Sequence, residues 1–168
     1  MSGDKSGTMS VMIRPATVDD HAGITRIAAE LARMHAWALP NRYRESDDPM
    51  PVEYLRSLLA SDEVLVLVAE GDGKVVGYEV LRLQDTPPIE FVMPRRFVLV
   101  SDLAVSEAWR GRGVGPLLID AAIGWARDRG VSEIELGVFE FNESAIGFYE
   151  HLGFRTVKRT MAMSIDRT

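Results

Sequence analysis

Apolar positions recur at two different spacings along this chain, and the places where the spacing changes divide it into elements. VMIRPA opens with a short strand, Val11 to Arg14. Behind Thr17 and Asp19, either of which can cap a helix, Ile24, Ile27, Ala28, Leu31 and Met34 return at helical intervals. LPNRYRESDDPMP, Leu39 to Pro51, is charged and bounded by proline, hence a surface loop; VEYLRSLLA then predicts a short helix with Val52, Leu55, Leu58 and Leu59 inward. VLVLVAE and KVVGYEVLRL, joined by GDG, predict a β-hairpin. A second irregular loop, QDTPPIEFVMPRR, leads to FVLVSDLAV, Phe97 to Val105, whose β-branched residues favour a strand.

The most regular helical pattern follows. Val114, Leu117, Leu118, Ala121, Ala122, Trp125 and Ala126 form one apolar stripe that ends at Gly130, and Pro116 falls in the first turn, where a missing N–H is tolerated. EIELGVF predicts a strand, NESAIGFYEHLG a helix between Asn142 and Gly153, and FRTVKRTMAMSI a final strand. The expected order is strand, two helices, three strands, helix, strand, helix, strand: an α+β fold with a mixed central sheet and helices on both faces. The strands flanking the long helix are expected to be parallel neighbours, because a helical crossover returns the chain in the same direction. Residues 1–10 read as a flexible tail or expression remnant, and 11–168 as a single domain.

Between FVLVSDLAV and the long helix stands RGRGVG, Arg110 to Gly115. A helix entrance presents unpaired N–H groups and the positive end of the helix dipole, so a glycine-rich turn there can bring backbone donors close to phosphate oxygens. The plain alternative is a tight turn with solvated arginines. A dinucleotide fingerprint fails in both registers, since its third glycine would fall at Pro116 or Leu118; a GxxxxGK run followed by Ser or Thr is absent.

RGRGVG instead resembles the RxxGxG signature of the GNAT superfamily of acetyl-CoA-dependent N-acetyltransferases, and NESAIGFYEHLGF is similar to that family's NxxAxxFYxxxGF segment. IRPATVDD, VVGY and LAV also resemble family usage. The resemblance implies a GNAT-like acyl-CoA-binding fold with acetyl-CoA as co-substrate. It implies that the backbone amides of Arg112, Gly113, Val114 and Gly115 hold the pyrophosphate, with Gly111 part of the same coenzyme-binding turn and Arg110 and Arg112 adding positive field. Leu103, Ala104 and Val105 would pair with the pantetheine arm, Asn142 and Ala145 would flank it, and Tyr149 would protonate the departing thiolate. Pro116 removes one amide that could face the phosphate. In several members the general base lies six or four residues before the valine matching Val105; here those positions are Leu99 and Ser101, and neither is a base. Asp102 belongs to the other face of a regular strand, although a bulge would turn it back. Glu79 on the neighbouring strand is the second candidate.

Composition narrows the picture further. The chain has no cysteine and a net charge of −6, which argues against a cysteine nucleophile or thiolate metal site and against a coat for nucleic acid. His21, His35 and His151 lack ligand spacing, so no metal is expected, and the longest apolar run, VLVLVA, is too short for a membrane span. The combined expectation is a cytoplasmic N-acetyltransferase acting on a small or peptidyl primary amine, with a homodimer left open; a catalytically weak acyl-CoA-binding module is the alternative. The loops at residues 39–51 and 84–96 are expected to shape the acceptor pocket.

Overall fold

The computed structural model describes residues 10–165, so all of the expected tail except Ser10 lies outside the described residues. Two compact units divide the chain, Met1–Gly137 and Val138–Thr168.

The first unit is built on one five-stranded sheet in the order β1-β2-β3-β4-β5. These are β1 (Val11–Pro15), β2 (Val64–Gly71), β3 (Lys74–Asp85), β4 (Arg96–Val105) and β5 (Ile134–Leu136). The first four pair antiparallel in succession, and β4 pairs with β5 in parallel, as the helical crossover requires. The β2–β3 turn places both Asp72 and Gly73 at positive φ, the conformation whose twist suits a two-residue hairpin loop. VLVLVA is apolar at every position because β2 is covered on both sides. Val66 and Val68 join the core under α1 (His21–Ala38) and α2 (Val52–Leu59), whereas Leu67 and Ala69 join the core under α3 (Val114–Asp128).

The first turn before α1 is held by Asp20, not by Asp19. Its carboxylate accepts from the Thr17 N–H at 2.8 Å and from both terminal nitrogens of Arg14 at 2.8 and 2.9 Å, which ties β1 to the helix entrance and holds Asp20 below the usual carboxylate range. In α2, Leu55 and Leu58 are buried but Leu59 is exposed; in α3, Leu117 is exposed and Ile119 is buried in addition to the predicted stripe. Both differences arise at positions on the border of the apolar arc, where the exact roll of the helix decides. β5 is shorter than EIELGVF suggested, covering only three residues.

The second unit holds α4 (Glu143–His151). Tyr149 packs its ring against Phe148 and Phe154, and Arg159 pairs with Glu140. The strand expected over FRTVKRTMAMSI is not formed: residues 155–165 carry no strand, and Val157, Met161, Met163 and Ile165 are exposed. Alternation supplies the side chains for a strand, but a strand exists only where a neighbour completes its ladder, and no ladder includes this segment.

Candidate active site

The site is assembled where β4 ends and α3 begins. β4 and β5 share only the pairs Val98–Ile134, Leu99–Glu135 and Val100–Leu136. Beyond Val100, β4 continues to Val105 while the parallel ladder has stopped, so Leu103, Ala104 and Val105 pair with β3 on one side only. The strand end is fixed from behind: Ser106 N–H donates to the Val76 carbonyl at 2.8 Å, and Glu30 of α1 accepts from the Glu107 N–H at 2.9 Å. Arg110 donates through Nε to the Val105 carbonyl at 3.0 Å, and the Arg112 guanidinium lies over the Trp109 ring at 5.3 Å. The arginines therefore brace the turn in addition to charging it.

Gly111 and Gly113 both sit at positive φ, 71° and 83°. A Cβ at either would meet nothing within 4 Å, so these glycines serve backbone conformation, not space inside the protein. Gly113 is the N-cap residue of α3, and no side chain caps that helix and no acid stands in its first turn. The N–H groups of Val114 and Gly115 thus belong to the set a helix start leaves without an intrahelical partner, and Pro116 supplies none. The helix is pinned by Val114 and Leu118, both buried. Gly77 on β3 makes that approach possible: a Cβ there would come within 3.2 Å of Val114 Cγ1 and of the Ala104 carbonyl oxygen. Gly77 carries a structural duty that the sequence signals only as the glycine of VVGY.

The two carboxylate candidates point to opposite faces of the sheet. In the β3–β4 register Val80 faces Asp102 and Leu81 faces Val100, which leaves Ser101 as the extra residue of a bulge. Val98 and Val100 therefore share the α3 face with Leu103 and Val105, while Asp102 shares the α1/α2 face with Ala104. The bulge puts Asp102 on the face that Leu99 occupies. Burial raises its carboxyl to about 6, opposed by the nearby charge of Arg82. Glu79 pairs with Leu67 on one side and Leu103 on the other, on the α3 face. It is 0% exposed, neither oxygen has a hydrogen-bond partner among the described residues, and burial alone pushes its carboxyl up to about 8.

In the second unit Asn142 caps α4, its Oδ1 accepting from the Ala145 N–H at 3.2 Å, so both residues have a structural duty at the helix entrance. Tyr149 lies in the aromatic cluster described above. Among the described residues no group of three or more His, Asp or Glu could hold a metal ion, and no helix is long and apolar enough to cross a membrane.

A strand that outruns its parallel neighbour and turns through two glycines into an uncapped helix leaves backbone N–H groups and the positive end of a helix dipole unpartnered at the end of β4. Residues 31–154 match the family model for the acetyltransferase (GNAT) family, and the chain belongs to that family. It is 37% identical over 101 residues to an uncharacterized N-acetyltransferase, MJ1207, of Methanocaldococcus jannaschii, a match covering 60% of this chain and 43% of that protein. The chain thus spans less than half the length of that archaeal relative. A thialysine N-epsilon-acetyltransferase of Sus scrofa is 28% identical over 153 residues, covering 87% of this chain and 85% of the relative. Among solved structures, a tetramutant of the BH1408 protein from Bacillus halodurans superposes with a TM-score of 0.88 at 32% identity, covering 92% of this chain and 99% of that one.

Proposed function

We propose that this chain moves the acetyl group of acetyl-CoA to a primary amine by direct attack of the amine nitrogen on the thioester carbon. The observation that carries the reading is the start of α3: two glycines at positive φ and a helix entrance with neither a capping side chain nor an acid, directly after the one-sided end of β4. Backbone N–H groups of residues 112–115 hold the pyrophosphate, and Arg110 and Arg112 add positive charge. Leu103 to Val105 offer backbone groups to the pantetheine arm. A relative named as an N-epsilon-acetyltransferase supports an amine nitrogen as the acceptor atom.

Asp102 takes the proton that the acceptor's ammonium must lose before its nitrogen can attack. A carboxyl titrating at about 6 is mostly ionised at pH 7 yet more basic than an ordinary aspartate, which suits a general base. Glu79, enclosed and protonated at pH 7, takes no part in this step. As the C–S bond breaks, Tyr149 donates its phenolic proton to the coenzyme thiolate.

Gly113 and Gly130 supply the test. They stand at opposite ends of α3, both at positive φ and both with nothing within 4 Å of an added Cβ. Valine at either position should cost similar stability, roughly 1–2 kcal/mol or more for a left-handed β-branched residue. Titration calorimetry with acetyl-CoA should show at least tenfold weaker binding for Gly113→Val and near-native binding for Gly130→Val. Unchanged affinity in Gly113→Val, or equal losses in both, would overturn the phosphate reading of the turn.

A further inference from the structure

On the α1/α2 face of the sheet, next to Asp102, lies an arginine that the reaction has not used. Arg82 faces Leu99 across the β3–β4 ladder, two residues from Val80, which faces Asp102. Asp102 and Arg82 thus lie on one face, diagonal to each other across the bulged part of the β3–β4 ladder. The charge of Arg82 lowers the Asp102 carboxyl, and no ion pair joins the two among the described residues. Tyr54 of α2 holds the arginine: its hydroxyl accepts from Nη2 of Arg82 at 3.0 Å. Buried Tyr78, opposite Ala104, completes the surround, its hydroxyl pushed up by burial and by the charge of Asp102.

The guanidinium has five N–H donors in a planar fork. Among the described residues the only hydrogen bond of the Arg82 guanidinium is the one to Tyr54, and no carboxylate lies within ion-pair distance. Arg14, Arg95 and Arg96, by contrast, each hold two carboxylates. Arg82 is half-buried and Tyr54 is 44% exposed, so the fork is oriented by a neighbour yet open to solvent. Asp102 likewise accepts no hydrogen bond from the described residues. A carboxylate and a guanidinium, side by side and each with unused capacity, match a molecule that carries the opposite charges in the same order.

We infer that the acceptor is an amino acid-like molecule, whose ammonium meets Asp102 and whose carboxylate is held by Arg82 and the Tyr54 hydroxyl. The inference rests on the acetyltransferase reading and adds the acceptor's second functional group to it. Arginine is suited to this duty because its fork engages both carboxylate oxygens at once, and a point charge would not fix the acceptor's direction in the same way.

The experiment compares acceptors that differ only in the acid group: L-lysine with cadaverine, L-ornithine with putrescine, and 4-aminobutyrate with propylamine. Release of free coenzyme from acetyl-CoA is measured for each, in wild type, Arg82→Gln and Tyr54→Phe. Wild type should favour the acid-bearing member of at least one pair by tenfold or more in kcat/KM, mainly through KM. Arg82→Gln should bring that ratio close to one, and Tyr54→Phe should lower it less. Because the readout is a ratio within one variant, effects on folding, on Asp102 or on coenzyme binding cancel. Transfer with no preference for the acid in wild type, or a preference that survives Arg82→Gln, overturns the inference and leaves the acetyltransferase reading standing. Transfer to none of the six amines overturns the inference, and the acetyl-CoA titration of Gly113→Val then decides the acetyltransferase reading separately.

Discussion

Replacing Glu79 with glutamine should change how the protein's stability depends on pH, and the size of the change follows from the structure. The carboxyl is fully buried between Leu67 and Leu103, and burial alone raises it from 4.5 to about 8. A folded-state value above the unfolded one means that the native protein binds this proton more tightly, so between about pH 4.5 and pH 8 the unfolded state carries fewer protons at this site and stability falls as pH rises. Below that window the carboxyl is protonated in both states and costs nothing extra; above it the loss is complete. At about 1.4 kcal/mol for each pH unit, the full loss is up to about 5 kcal/mol. For a chain of this size that corresponds to a fall in Tm of up to roughly 10–20 °C. Glutamine keeps the shape and removes the titration. Thermal unfolding of wild type and Glu79→Gln, followed by circular dichroism every half pH unit from 5 to 9, should give curves that diverge up to about pH 8 and run parallel beyond it, with the variant gaining relative to wild type across that window. The difference between the curves isolates Glu79, because Asp102 and the ion-paired carboxylates titrate in both proteins. Curves parallel throughout would show that Glu79 is ionised or solvated in the native state and would refute the argument.

Two further outcomes address the chemistry. With an amine that serves as acceptor, kcat/KM should rise through about pH 6 as Asp102 loses its proton, and Asp102→Asn should abolish that limb and lower the rate, by roughly 100-fold or more if a general base is removed; a pH profile identical to wild type would exclude Asp102 as the base. Tyr149→Phe should bind acetyl-CoA within a few fold of wild type and turn over roughly 10 to 1,000 times more slowly, as when a general acid is lost and water partly substitutes. A wild-type rate, measured where chemistry limits turnover, would reduce Tyr149 to its contacts with Phe148 and Phe154.

Features that depend on a few consecutive residues were legible in the chain itself. The hairpin turn at Asp72-Gly73, the tight glycine turn before α3, the stop of α3 before Gly130 and the cap at Asn142 are decided by local sterics and local hydrogen bonds, which the residue types announce. The long apolar stripe of α3 and the parallel return of β5 follow from periodicity and chain connection. Pairing between distant strands is another matter. Alternation along FVLVSDLAV cannot show that Ser101 is an extra residue, because a bulge is a property of two strands in register; only the β3–β4 ladder turns Asp102 to the α1/α2 face and sets it beside Arg82. The burial of Glu79 is equally invisible in VVGYEVLRL, where a charged residue in an alternating strand reads as solvent-facing until α3 covers that face. FRTVKRTMAMSI marks the converse limit: the pattern for a strand is present, and the strand is not, because the hydrogen bonds that make one must come from a neighbour that local sequence does not specify.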